Sequence, residues 1–188
     1  MQATNDALIN ELSATIRQCT WTVEGFLALP DDALHAKKDP QQWNVLECLE
    51  HLNLYGDYYL PAIEQALLRG AGKATDGRFR SGWLGNYFAN LMLAAPAATD
   101  QSKKAKKMKS PADKNPLGQE LSRATVQRFL KQQAALETML EQSRHADLTH
   151  MRVPISILPW LRLRLGDVAR FVVYHNARHV AQAGRAVR

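Results

Sequence analysis

The stretch Tyr174-His175-Asn176-Ala177-Arg178-His179-Val180 places two histidines four residues apart. On a helix that spacing stacks both imidazoles on one face, one turn above the other. Leu165, Val168, Phe171, Val172, Ala183 and Ala186 form an apolar stripe that includes this face, and Gln182 continues the histidine column. Unpaired polar nitrogens in such a setting cost about 1–3 kcal/mol each. Two kinds of partner remove that cost: a metal ion that takes both lone pairs, or hydrogen bonds to neighbouring helices.

A third histidine, His51, lies at the margin of another helical face, that of Val45, Cys48, Leu49, Leu52, Tyr55 and Tyr59. His51, His175 and His179 together would supply three neutral nitrogen donors and leave positions for water or substrate, the pattern of a catalytic rather than a structural metal. Zn²⁺ and Ni²⁺ suit imidazole best, with Fe²⁺ and Mn²⁺ as further candidates. Such a cation either lowers the pKa of a bound water toward about 7 or holds a small thiol as its reactive thiolate. Glu47, one turn before His51, is the candidate to orient it or to accept a proton; its other reading is the N3 member of a capping box with Asn44. Tyr58 is a candidate pocket wall, and Gln182 either contacts substrate or hydrogen-bonds within the core. A zinc-protease helix needs Glu directly after its first histidine. Asn176 stands there, which argues against a protease. His35, His145 and His150 fall in polar or connecting segments and read as surface residues.

Four helices must position these groups. Leu8, Leu12, Ile16, Cys19, Val23 and Phe26 recur every three or four residues, with Asn5 or Asp6 as the expected cap and Pro30 beyond the end. The second helix opens at Trp43-Asn44 and runs to about Leu68, with a kink or break expected at Pro61. A third is expected from near Leu117 to Ser143, and a fourth after Gly166-Asp167, read as its cap. Between the second and third, residues 73–119 form a long irregular crossover holding one short helix, Trp83 to Leu93. The only strand-like pattern is a short stretch around Arg152 to Leu158. The expected class is therefore all-α, a four-helix bundle in one domain spanning 1–188.

With 188 residues, 46% of them apolar and 22% charged, the chain has the profile of a soluble globular domain. Its net charge of +6 favours anionic partners without singling out nucleic acid. The two cysteines, Cys19 and Cys48, cannot build a disulfide framework and read as buried, reduced thiols. The N-terminus lacks the basic and apolar regions of a secretory signal, and the most apolar window, Trp83 to Ala98, is too short to span a bilayer, so a cytoplasmic location is expected. Lys103, Lys104, Lys106, Lys107 and Lys109 form a basic run without interleaved aromatics, read as a solvated loop; nucleic-acid binding is not favoured.

Three short motifs, in order, resemble the DinB-like superfamily of bacterial helical proteins. These are Trp43-x₃-Glu47-x₃-His51, then Lys107-Met108-Lys109-Ser110-Pro111, then His175-x₃-His179. The resemblance implies an up-down-down-up bundle, often homodimeric. It also implies a divalent-metal site made by His51, His175 and His179. The better-understood relatives are metal-dependent transferases or isomerases using a low-molecular-weight thiol, so the resemblance implies such a thiol as co-substrate to a small-molecule substrate; an anionic one is expected if the basic run at 103–109 borders the site. The competing reading is a non-catalytic helical binding or stress-associated interaction module whose histidines hydrogen-bond inside the core.

Overall fold

The computed structural model describes residues 1–40, 42–72, 75–93 and 111–187. It is predominantly helical, and the expected all-α class needs one amendment: two small antiparallel sheets of two strands each accompany the helices. The first pairs β1 (Gln2–Thr4) with β2 (Arg78–Arg80), and the second pairs β3 (Arg152–Ile155) with β4 (Leu158–Arg164). The strand-like stretch read from sequence is thus the first half of a hairpin. Its second half alternates inward Leu163 with outward Arg162.

Helix α1 spans Asn5–Phe26 and buries Leu8, Leu12, Ile16, Cys19, Val23 and Phe26, the stripe expected of it. Its cap is Thr4, whose hydroxyl accepts from the Ala7 N–H, and not Asn5 or Asp6. Asn5 is instead buried in the first turn, where its amide donates to the carbonyls of Arg144 at 3.0 Å and Ala146 at 2.9 Å. A short helix α2, Asp31–His35, begins directly after Pro30.

Helix α3 runs over Val45–Gly70 from a complete capping box. The Asn44 side chain accepts from the Glu47 N–H at 2.8 Å, and the Glu47 carboxylate accepts from the Asn44 N–H at 2.9 Å. Of the kink or break expected at Pro61, the break does not occur: the helix continues through it. Pro61 and Asp57, whose carbonyl loses its donor, are both exposed, so water can take the free lone pair. After α4 (Trp83–Leu93), helix α5 occupies Arg123–Gln142 and starts at the Ser122 cap, not near Leu117. Pro116 and the positive φ of 81° at Gly118 keep the preceding segment out of the helix.

Helix α6, Leu165–Ala186, also departs from expectation at its start: Gly166 and Asp167 are in its first turn rather than capping it. Gly166 is needed because a Cβ would come 2.5 Å from the Phe79 ring. Asp167, 1% exposed, accepts from the Ser81 hydroxyl and from the Gly82 N–H at 2.8 Å, tying α6 to the chain entering α4. Helices α1 and α3 each contact both α5 and α6, and α4 packs against α6. No helix among the described residues is long and apolar enough to cross a membrane. The basic run at 103–109 lies outside the described residues.

Candidate metal centre

Helices α3 and α6 meet face to face, and their contact brings His51 together with His175 and His179. One ring nitrogen of each lies within 4.8 Å of the other two. The Nε2 atoms of His51 and His175 are 3.2 Å apart. His51 is 2% exposed and His175 6%, with His179 half-buried at the rim. His35, His145 and His150 are exposed and stand apart from this cluster.

Each end of the cluster is oriented from behind. The Nδ1–H of His51 donates to the carbonyl of Lys114 at 2.7 Å. A carbonyl can only accept, so the His51 proton sits on Nδ1 and the Nε2 lone pair faces the cluster. On His179, Nδ1–H pairs with Oε1 of Gln182 at 3.0 Å, which leaves the lone pair on Nε2. Gln182 thus orients an imidazole, one of the two roles its position in the column allowed. This outer hydrogen bonding to a carbonyl oxygen is what metal-ligating histidines use to fix tautomer and ring angle.

Aromatic rings wall the cluster. Trp43 lies 4.8 Å from His51 and 5.9 Å from His179 between ring centroids. Tyr55 is 4.9 Å from His51 and 4.6 Å from His175, and Phe171 stacks on His175 with planes 7° apart. Packed rings leave the imidazoles little rotational freedom and keep bulk water off their nitrogens.

Burial holds all three histidines below their ordinary pKa. His51 is lowered chiefly by desolvation; the Lys114 carbonyl opposes that shift and the Lys114 charge adds to it. His175 is pushed well down by burial, then by the two other histidines and Arg178. His179 is lowered to about 3 by burial, His51 and Arg178, with Gln182 acting the other way. The cluster is therefore neutral at physiological pH, with its lone pairs available. Nitrogens held at about 2.0–2.1 Å from one tetrahedral ion stand roughly 3.3 Å from each other. The 3.2 Å separation of His51 and His175 fits that requirement, so these residues could hold a divalent ion.

The remaining candidates are placed as follows. Glu47 directs its carboxylate to the Asn44 N–H and to the Lys37 ammonium at 2.6 Å. Tyr58 packs edge-on against Tyr59. Asn176 donates to Gln133 on α5 at 3.2 Å. Cys19 and Cys48 are buried free thiols pushed up to about 12 by desolvation, and so stay protonated. Sequence reasoning gave no role to Trp43 or to the Lys114 carbonyl. Trp43 precedes its helix and escapes any periodicity, although it opens one of the three motifs. A backbone carbonyl leaves no mark in a sequence at all.

A mostly helical protein with a buried, outwardly braced set of three neutral imidazoles belongs to the class that can carry one metal ion inside a helical scaffold. A family model of the DinB superfamily matches residues 11–183. The chain belongs to that superfamily, as the three motifs led us to expect. Comparison with curated proteins and with solved structures finds no match.

Proposed function

We propose that the chain is a metal-dependent enzyme in which His51, His175 and His179 hold one divalent ion, Zn²⁺ or Ni²⁺ first and Fe²⁺ or Mn²⁺ next. The reaction is transfer or isomerisation with a small thiol as co-substrate, or hydrolysis of a small molecule. One observation carries this reading: three neutral ring nitrogens within 4.8 Å of one another. When bound, the ion supplies a Lewis acid that favours the anionic form of a water or thiol beside it.

The chain's own residues do the rest. Lys114 and Gln182 hold His51 and His179 in the donor tautomer. Trp43, Tyr55 and Phe171 keep the rings aligned and shielded. Glu47 is held by Asn44 and Lys37, which supports an indirect role through the start of α3 rather than direct proton transfer. An up-down-down-up bundle is part of the proposal. Contacts of Ser13 with Glu141 and Arg17 with Glu137 support antiparallel α1 and α5; Glu11 with Tyr174 supports α6 running parallel to α1. A cytoplasmic homodimer completes the proposal, and sedimentation of the purified protein tests its oligomeric state.

The test is metal analysis of the purified chain, followed by titration of metal-stripped protein with zinc and nickel. Stoichiometric metal and its loss in His175→Ala are expected. Equal affinity in wild type and His175→Ala would sink the proposal. A second reading draws on the same 3.2 Å separation, which also suits a hydrogen bond from His175 Nε2–H to His51. In that reading the chain is a non-catalytic helical binding or stress-associated interaction module, and its melting temperature ignores chelators.

A further inference from the structure

Among the described residues, the charged side chains that lower the three imidazoles are Lys114, Arg178 and Arg185, all cationic, while the Asp113 carboxylate acts on the neighbouring Tyr55. Two of these cations have a structural explanation. Arg178 donates to the carbonyl of Leu91 at 3.2 Å, in the last turn of α4. Arg185 is exposed near the C-terminus of α6, where the helix dipole favours positive charge.

Among the described residues Lys114 has only a weak one. Its side chain is only 15% exposed, and its ion pair is with the adjacent Asp113 at 3.3 Å, whose own side chain is 72% exposed. A solvated partner of that kind returns little to an ammonium withdrawn from water. Its backbone is fixed against the site by the 2.7 Å hydrogen bond from His51. The flexible four-carbon stem therefore starts beside the cluster. Glu47, the acid on the same face of α3 as His51, is already engaged by Lys37 and the Asn44 N–H. Three imidazoles contribute no negative charge, so a divalent ion among them keeps its full charge. The cluster and Lys114 together have the electrostatics of an anion receptor.

We propose that Lys114 is the residue that recognises a carboxylate on the small ligand of this site, by pairing its ammonium with that carboxylate while the ligand's other end meets the histidine cluster. This rests on the metal-site reading above and adds to it a ligand class, a small molecule carrying one carboxylate. Lys114 selects and positions the ligand. It replaces its weak pairing with Asp113 by a buried pairing with the ligand, and no covalent step is involved.

Cobalt-loaded full-length protein provides the test, because the visible cobalt band reports thiol binding without any assay of turnover. Mercaptoacetate and 2-mercaptoethanol, similar in size, differ in carrying a carboxylate or a neutral hydroxyl. Lys114→Met should weaken mercaptoacetate by about 10- to 100-fold, the loss of one buried charge-assisted hydrogen bond. It should leave 2-mercaptoethanol and cobalt affinity within about twofold, since the Lys114 carbonyl remains in place. Lys114→Arg should keep most of the preference, and serves as the folded control if Lys114→Met proves unstable. Unchanged mercaptoacetate affinity in Lys114→Met, or equal weakening of both thiols, would overturn the proposal while leaving the metal site standing. Failure of the wild type to take up cobalt would overturn both.

Discussion

The Nε2 atoms of His51 and His175 face each other at 3.2 Å across 124 residues of sequence. Two imidazoles that both present a lone pair at that distance repel unless a proton or a cation lies between them. Because the Lys114 carbonyl fixes the His51 proton on Nδ1, His51 itself supplies no proton to that gap. The arrangement is thus primed for whatever positive species enters from the His175 side or from solvent.

A metal ion filling this gap should stabilise the fold by mass action. At a free concentration 100 times its Kd the gain is about 2.7 kcal/mol. For a chain of this size that corresponds to roughly 5–10 °C in Tm. Adding zinc to metal-stripped protein should raise Tm by that amount and a chelator should reverse it. The same experiment on His51→Ala should show a shift under about 2 °C.

Acid should destabilise the metal-free protein in a window set by the histidines. All three have folded pKa values below the ordinary 6.5, and His179 falls to about 3. The unfolded chain therefore takes up their protons first. Their contribution is fully present above about pH 6.5 and declines below it, for His179 down to about pH 3. Each histidine adds a slope of up to about 1.4 kcal/mol per pH unit between the unfolded value and its own folded pKa. Urea midpoints should be flat from pH 8 to 7 and fall steadily between pH 6.5 and 5. His179→Phe should remove one proton's share of that slope.

The buried pair at the start of α6 should be intolerant of truncation. Asp167 and Arg170 are 1% and 3% exposed, with their closest charged atoms 3.6 Å apart. Asp167→Ala strands a buried guanidinium, at a cost of about 3–5 kcal/mol. Gly85→Ala places a methyl carbon 2.3 Å from the Asp167 carboxylate and should cost about 1–3 kcal/mol by overpacking. Because the two changes share one space, the double variant should be less unstable than the sum. Chemical denaturation of the four proteins measures this directly, and strict additivity would show that the helices shift apart instead.

Asn44→Ala should lower stability by about 1 kcal/mol through loss of the cap on α3. Metal affinity should change little, since His51 lies nearly two turns into the helix and is oriented by Lys114. Parallel zinc titration and urea unfolding of this variant separate the two effects.

The legible parts of this fold were those written in helical period and in helix punctuation. The stripe of α1 and the Asn44–Glu47 box are local patterns, and both reappear in the structure. His51, His175 and His179 were legible as a set because each lies on a helical face, although only packing shows that the two helices face each other. Starts of helices were misjudged where tertiary contacts decide them. Asn5 is drawn away from capping by two carbonyls at the far end of α5, and Asp167 by Ser81 and Gly82. Strand β1 has three residues and pairs with residues 78–80, a partner no local pattern could name. The alternation in Trp160-Leu161-Arg162-Leu163 was present but short and followed a proline, which masked it.

The clasp on His51 consists of main chain alone. No replacement of the side chain at 114, short of one that refolds the turn, deletes the oxygen that holds the imidazole. Where the Lys114 ammonium selects the ligand as proposed, sequence drift at this position retunes what the site admits without touching how it is built. A change in the length of the turn at 112–114 would do the reverse, moving the oxygen and leaving every histidine in place. Specificity and assembly are encoded here by different kinds of genetic event, substitution for one and insertion or deletion for the other.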